Sequence, residues 1–299
     1  MLSTAIILPG EAEMLSINSL RNIVGVEWDG IFYSGNRVHP TFDKALIYSS
    51  PEIIPLICDL LIIADPRFCD YEYLSFAIRS GCHLFLSDKL KLNMSECKEL
   101  ALLATEGGTS VRIQNDFMMH PNHKMIPILS NQSAFIEVSQ TTGPKKEQVN
   151  QLLKNNLKMI LRTAGSQVHR VDVFCGMLPS LKPDIINIHL NFKNGSVATL
   201  KLRFVEQEEA HHLSIHKGGE ITLYNFHQNE NKSVIVGELN KSENDISNNL
   251  LLEQIGDFVK DIGEKNHSGN NLNDEMIVFI LMEKIRKKIE NQIDYKILV

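Results

Sequence analysis

The feature that most limits what this chain can fold into is the rhythm of its first third, where short apolar runs alternate with segments of helical periodicity. That alternation is how a parallel sheet covered by helices appears in sequence, because its strands are buried on both faces and each connection crosses back over the sheet. Residues 4–8 read as the first strand, the turn at Pro9 and Gly10 leads into an amphipathic helix over 11–22, and a β-branched and aromatic run over 24–33 completes a βαβ unit. A helix over 51–58 precedes DLLIIA (59–64), whose unbroken apolar centre fits a strand buried on both sides. A helix over 71–80 stopping at Gly81, a strand over 83–86, a helix over 95–106 with Ser95 as N-cap, and a strand over 111–114 finish the series.

Beyond residue 134 the period changes. Strand-like segments at 135–138, 168–174, 185–192, 196–204, 212–216, 220–225 and 233–238 are separated by turn residues such as KNG (193–195) and KGG (217–219), too short for helical crossovers, so the sheet they form is mainly antiparallel. A long helix is expected over 147–162, and two helices, 248–262 and 273–292, end the pattern. With 299 residues, two cores are expected: an α/β Rossmann-type dinucleotide-binding-like domain over 1–118 and an α+β domain with an open-faced sheet over 119–299.

The net charge of −6 is spread along the chain, and the basic cluster Lys284, Arg286, Lys287 and Lys288 reads as a solvated helix face, so nucleic acid is not an expected partner. No apolar stretch reaches the ~20 residues of a membrane helix, and the first residues read as a strand rather than a signal peptide. Five cysteines without a Cys-x-x-Cys pair point to reduced thiols and a cytoplasmic protein. His212 and His216 share a strand face but have no third ligand at a recognisable spacing, so no metal is expected.

The string DLLIIADPRFCDYEYLSFAIRSGCHLFLSDKLKLNMSECKELALLATE (59–106), with Gly81, His83 and Lys89 in register, resembles the Gfo/Idh/MocA family of NAD(P)-dependent oxidoreductases. So do FKNGSVATLKL (192–202) and the closing helices LLLEQIGDFVKDI and EMIVFILMEKIRKKIE. The resemblance implies hydride transfer between NAD(P) and a hydroxyl or carbonyl of a sugar- or polyol-like substrate. It also implies that the second domain lines the substrate site and forms a homodimer or tetramer through its sheet, for which the alternating apolar residues of 185–204 are the expected face. Lys89, in the family's Glu-Lys-Pro loop (here Asp88, Lys89, Leu90), is the implied catalytic residue, a lysine that shares or moves the substrate hydroxyl proton.

Several positions depart from the family pattern. Of the phosphate-binding Gly-x-Gly-x-x-Gly only the middle glycine remains, as Gly10, with Leu8 and Glu13 in the flanking places. Ser34 and Arg37 after the second strand favour NADP over NAD, although the same residues are also ordinary turn chemistry. Pro66 keeps its place on the cofactor side and Asp70 stands where a histidine is usual. The family's Asp-x-x-x-His pair on the connecting helix falls on Gln151 and Asn155, two amides that take no proton at neutral pH. Two readings therefore stand at this point: a divergent oxidoreductase, and a non-catalytic relative that serves as a small-molecule-binding or assembly subunit.

Overall fold

The computed structural model describes residues 1–8, 23–33, 46–48, 50–89, 92–115, 125–143, 149–177, 183–204, 209–226, 231–235, 238–242, 250–264 and 272–297. The chain divides into two compact units, Met1–Asn115 with Asn249–Ile277, and Asp116–Asn248 with Val278–Val299. Residues 249–277 thus return to the first unit before residues 278–299 rejoin the second.

The first unit is built on six parallel strands: β1 (Leu2–Leu8), β2 (Val26–Tyr33), β3 (Leu46–Ile47), β4 (Leu60–Ile63), β5 (His83–Leu86) and β6 (Val111–Ile113). Their spatial order is β3-β2-β1-β4-β5-β6, the 3-2-1-4-5-6 order of dinucleotide-binding folds. Residues 4–8 of β1 and all four residues of β4 are buried, as their apolar runs require. Alternation turns Ile6, Leu8, Leu60, Ile62 and Phe85 to one face, where they pack with Ile255, Phe258 and Val259 of helix α4 (Leu250–Gly263). Arg112 on β6 ties the same helix down, its guanidinium 5.0 Å from the centre of the Phe258 ring and Nη2 2.6 Å from Asp261 Oδ2.

Helices α1 (Tyr71–Arg79) and α2 (Met94–Gly107) lie against each other. Helix α1 ends because Gly81 follows with φ +91, a conformation that a side chain resists. Helix α2 is capped two residues earlier than the expected Ser95. Asn93 is its N-cap: Oδ1 accepts from Glu96 N at 3.0 Å while Asn93 N donates to Glu96 Oε2 at 2.8 Å, a reciprocal pair that a cap at Ser95 lacks. The segment expected as a helix over 51–58 is a 3-10 turn, Pro51–Leu56, with Pro55 inside it removing one amide donor.

The second unit holds an eight-stranded sheet in the order β14-β13-β12-β11-β7-β10-β9-β8. Its strands are β7 (Phe135–Thr142), β8 (Val168–Met177), β9 (Pro183–Phe192), β10 (Val197–Phe204), β11 (Ala210–Lys217), β12 (Glu220–Asn225), β13 (Asn231–Ile235) and β14 (Glu238–Ser242). Every pairing is antiparallel except β7 with β10. The single strand expected at 233–238 is a hairpin, β13 and β14. The β9–β10 turn closes on Gly195 (φ +84), and Asn194 Nδ2 donates to the carbonyls of Leu129, Gln132 and Ala164, anchoring the turn.

One face of this sheet is covered by α3 (Val149–Ala164) and by the part of α5 (Leu272–Ile297) that carries Leu281 and Ile285. The buried row on that face includes Ile186, Ile188, Leu190, Ala198, Leu200 and Leu202. This corrects the expectation that the alternating apolar residues of 185–204 form the open face: they are the core. The opposite face carries Leu223, Ser214, Glu137, Thr199, His189 and Asp172 in one cross-strand row, with exposed Phe135, Phe174 and Ile185 nearby and an ion pair between Lys201 and Glu137. Gln292 of α5 covers the sheet edge, accepting from Cys175 N at 3.0 Å and donating to the Val173 carbonyl. Among the described residues no helix is long and apolar enough to cross a membrane.

Candidate functional site

In a doubly wound sheet the ligand crevice lies beyond the carboxyl ends of the strands, where the strand order reverses. Here that point is between β1 and β4, which run side by side with Ile7 opposite Ile63. Two loops of the first unit carry described candidate residues there or one strand away: the one after β4, residues 64–70, and the one after β5, residues 87–89.

The loop after β4 is fixed by its own acid. Asp65 is 1% exposed; its Oδ1 accepts from Arg67 N at 3.0 Å, and Arg67 Nη2 lies 2.7 Å from Oδ2, which holds the guanidinium pKa above its ordinary value. Pro66 opens a 3-10 turn, Pro66–Phe68, where its fixed φ suits the first position. The Phe68 ring meets Phe32 at 5.7 Å and Tyr73 at 5.5 Å, both edge to face. Asp70, in the place of a family histidine, is the N-cap of α1, accepting from Tyr73 N at 2.9 Å. Its carboxylate is occupied with the helix start.

The loop after β5 holds the two residues best supported by the resemblance. Asp88 is buried at 3% exposure, whereas Lys89 is exposed and its backbone N–H donates to Ser87 Oγ at 3.4 Å. The anchoring is local: Ser87 N donates to the Ile63 carbonyl at 2.8 Å, so the end of β5 is registered on the end of β4. The loop thus presents a buried acid and, next to it, an exposed lysine.

In the second unit, Gln151 and Asn155 face each other on α3, Gln151 Nε2 donating to Asn155 Oδ1 at 3.2 Å, as their i, i+4 spacing allows. Their neighbour Asn156 is buried and does what neither sequence period nor motif indicates: Nδ2 donates to Gln140 Oε1 at 2.7 Å, and Oδ1 lies 3.0 Å from His211 Nε2. The His211 ring also lies 4.7 Å from that of Phe226. No spacing rule links residue 211 to a helix residue 55 positions earlier, so the sequence alone does not reveal this contact. His216 packs on Phe135 instead, and among the described residues no three His, Cys, Asp or Glu side chains gather as a metal site. Gly10, Ser34, Arg37, Leu90 and Glu13, together with the helix expected over 11–22, lie outside the described residues.

A six-stranded 3-2-1-4-5-6 parallel unit joined to a unit with an open, mainly antiparallel sheet is the two-unit fold of Gfo/Idh/MocA-type dehydrogenases. Solved structures with this fold match nearly the whole chain. UDP-N-acetylglucosamine 3-dehydrogenase from Acidithiobacillus ferrooxidans superposes with a TM-score of 0.77 at 16% identity, over 98% of this chain and 99% of that one. An oxidoreductase from Agrobacterium radiobacter, solved with NAD+, L-tartaric acid and magnesium, gives 0.73 at 11% identity, over 97% of each chain. Biliverdin reductase from Synechocystis, solved with biliverdin and NADP+, gives 0.68 at 13% identity, over 95% of this chain and 98% of that one. No family profile and no curated protein matches the chain by sequence.

Proposed function

We propose that this chain is a divergent Gfo/Idh/MocA-type oxidoreductase that binds a nicotinamide dinucleotide, NADP in preference to NAD, at the carboxyl edge of its parallel sheet and acts on a sugar- or polyol-like substrate. The observation that carries this reading is the position of Lys89: an exposed ammonium next to buried Asp88, in the loop after β5, with β5 registered on the strand that borders the reversal of strand order. When bound, the nicotinamide supplies the hydride acceptor or donor. Lys89 holds the substrate hydroxyl and moves its proton; Pro66 and the Asp65–Arg67 pair shape the wall beside it. By their place in the sequence, Gly10 would permit backbone approach to the pyrophosphate, and Ser34 with Arg37 would hold the 2′-phosphate.

The test is titration of NADPH and NADH into the protein by fluorescence, followed by turnover of a polyol and sugar library by wild type and Lys89→Met. Cofactor binding retained in the variant with the rate lost supports the reading. Absence of binding of either dinucleotide at millimolar concentration ends it.

The hydrogen bond between Gln151 and Asn155 favours a second reading, a non-catalytic relative that binds a small molecule or assembles with itself, because the two amides satisfy each other and neither exchanges a proton. A Lys89-dependent rate on any library member refutes it. Under both readings a homodimer or tetramer forms through the open sheet face around Phe135, Phe174 and Ile185. A monomeric mass by light scattering at high protein concentration contradicts that.

A further inference from the structure

The leading ends of β4 and β5, at the opposite edge of the sheet from the proposed cofactor site, bring together two cysteines 24 positions apart in sequence, with Cys58 Sγ and Cys82 Sγ 3.9 Å from each other. Cys82 is fully buried beneath the 3-10 turn, its Sγ 3.1 Å from the Pro55 carbonyl oxygen and 2.9 Å from that of Cys58. Both cysteines are buried, Cys58 at 7% exposure and Cys82 at 0%, and Cys58, which follows the exposed Leu56 and Ile57, is the less deeply placed of the two. Of the other cysteines, Cys69 Sγ contacts the Asp65 carbonyl, and Cys97 and Cys175 lie on α2 and β8.

We propose that Cys58 and Cys82 form a redox-convertible pair, closed to a disulfide by a hydroperoxide. In the first step the Cys58 sulfur attacks the peroxide O–O bond, becoming a sulfenic acid as the other oxygen leaves as water or an alcohol. In the second, the Cys82 sulfur displaces the sulfenic oxygen as water. Two thiols are oxidised by two electrons, one peroxide is reduced, and both thiol protons end in the products. Contact between the sulfurs makes the second step a matter of side-chain rotation, since a disulfide needs them at ~2.05 Å. Its hydrogen bond to Cys82 and burial hold the Cys58 thiol above its ordinary value, so its thiolate is scarce at neutral pH and the first step is slow. Once closed, the bond clips the starts of β4 and β5 together and encloses α1, leaving the strand ends at Asp65 and Asp88 untouched.

The experiment treats the native full chain with hydrogen peroxide, quenches with an alkylating agent, and maps cysteines by mass spectrometry. The expected product is a peptide pair joined through Cys58 and Cys82, reopened by dithiothreitol. In Cys82→Ser the expected product is a Cys58 sulfenic acid trapped by dimedone, and in Cys58→Ser the thiol of Cys82 survives treatment. Oxidation confined to Cys175, or a 58–82 link that appears only after the protein is unfolded in urea, overturns the proposal and leaves two structural core thiols.

Discussion

Replacing Phe258 by alanine tests whether helix α4 completes the first unit. Phe258 is fully buried against the β1, β2, β4 and β5 face, its ring centre 6.0 Å from that of Phe85 and 5.0 Å from the Arg112 guanidinium. A buried phenylalanine truncated to alanine costs about 3–5 kcal/mol, and loss of the guanidinium contact adds about 0.5–1 kcal/mol. A central expectation of ~4 kcal/mol is a large part of the ~5–15 kcal/mol that holds a domain together. With a urea slope of about 2 kcal/mol per molar, the unfolding midpoint falls by about 2 M. The assay is built into the chain: its single tryptophan, Trp28, packs against this same cluster and reports the first unit by fluorescence. Phe258→Leu, which keeps most of the volume, is expected to cost under about 1.5 kcal/mol. A Trp28 midpoint that moves by less than about 0.5 M in Phe258→Ala refutes the assignment of α4 to this core.

Asp70→Ala removes the α1 N-cap and lowers stability by about 1 kcal/mol, while Asp70→Asn keeps an acceptor for Tyr73 N and recovers most of it; equal losses in both, measured by urea unfolding, contradict the capping role. Burial, with Glu27 and Asp59 adding repulsion, raises the Asp29 carboxyl above its ordinary 3.8, so the folded state binds this proton more tightly than the unfolded one. That contribution to stability is full below the ordinary value and is lost as pH rises through the raised one. Asp29→Asn, which keeps an acceptor for Ser3 Oγ, therefore gains on wild type as pH rises from 4 to 7, and a gain that is flat across thermal melts over that range excludes the titration.

Legibility followed burial. The LLII run of β4 and the glycine after α1 announce themselves because a two-sided strand admits few polar residues and a left-handed residue few side chains. Strand β3 is only Leu46–Ile47, too short to carry a period. The α4 stripe of Leu251, Leu252, Ile255, Phe258 and Val259 reveals an apolar face, yet periodicity cannot say which of two sheets that face meets. The same limit hid the destination of the 185–204 stripe, since alternation distinguishes two faces without naming the covered one. At the candidate site, Lys89 was reached through the string around it. Asp65 with Arg67 and Asn156 with His211 were not, because their meaning lies in a two-residue chelate and in a long-range contact, neither of which leaves a spacing signature.

Because Asn249–Ile277 belongs to the first unit, synthesis cannot finish that unit in the order it begins it. The ribosome releases β1 to β6 with the Ile6, Leu8, Ile31 and Phe85 surface uncovered, then makes the whole β7 to β14 segment before the covering helix emerges. At about 5–20 residues per second, that apolar surface waits on the order of ten seconds or more, long enough for a chaperone to occupy it. A release of the nascent chain near residue 115 is therefore expected to yield a chaperone-bound or aggregated fragment, even though every strand of its sheet is present.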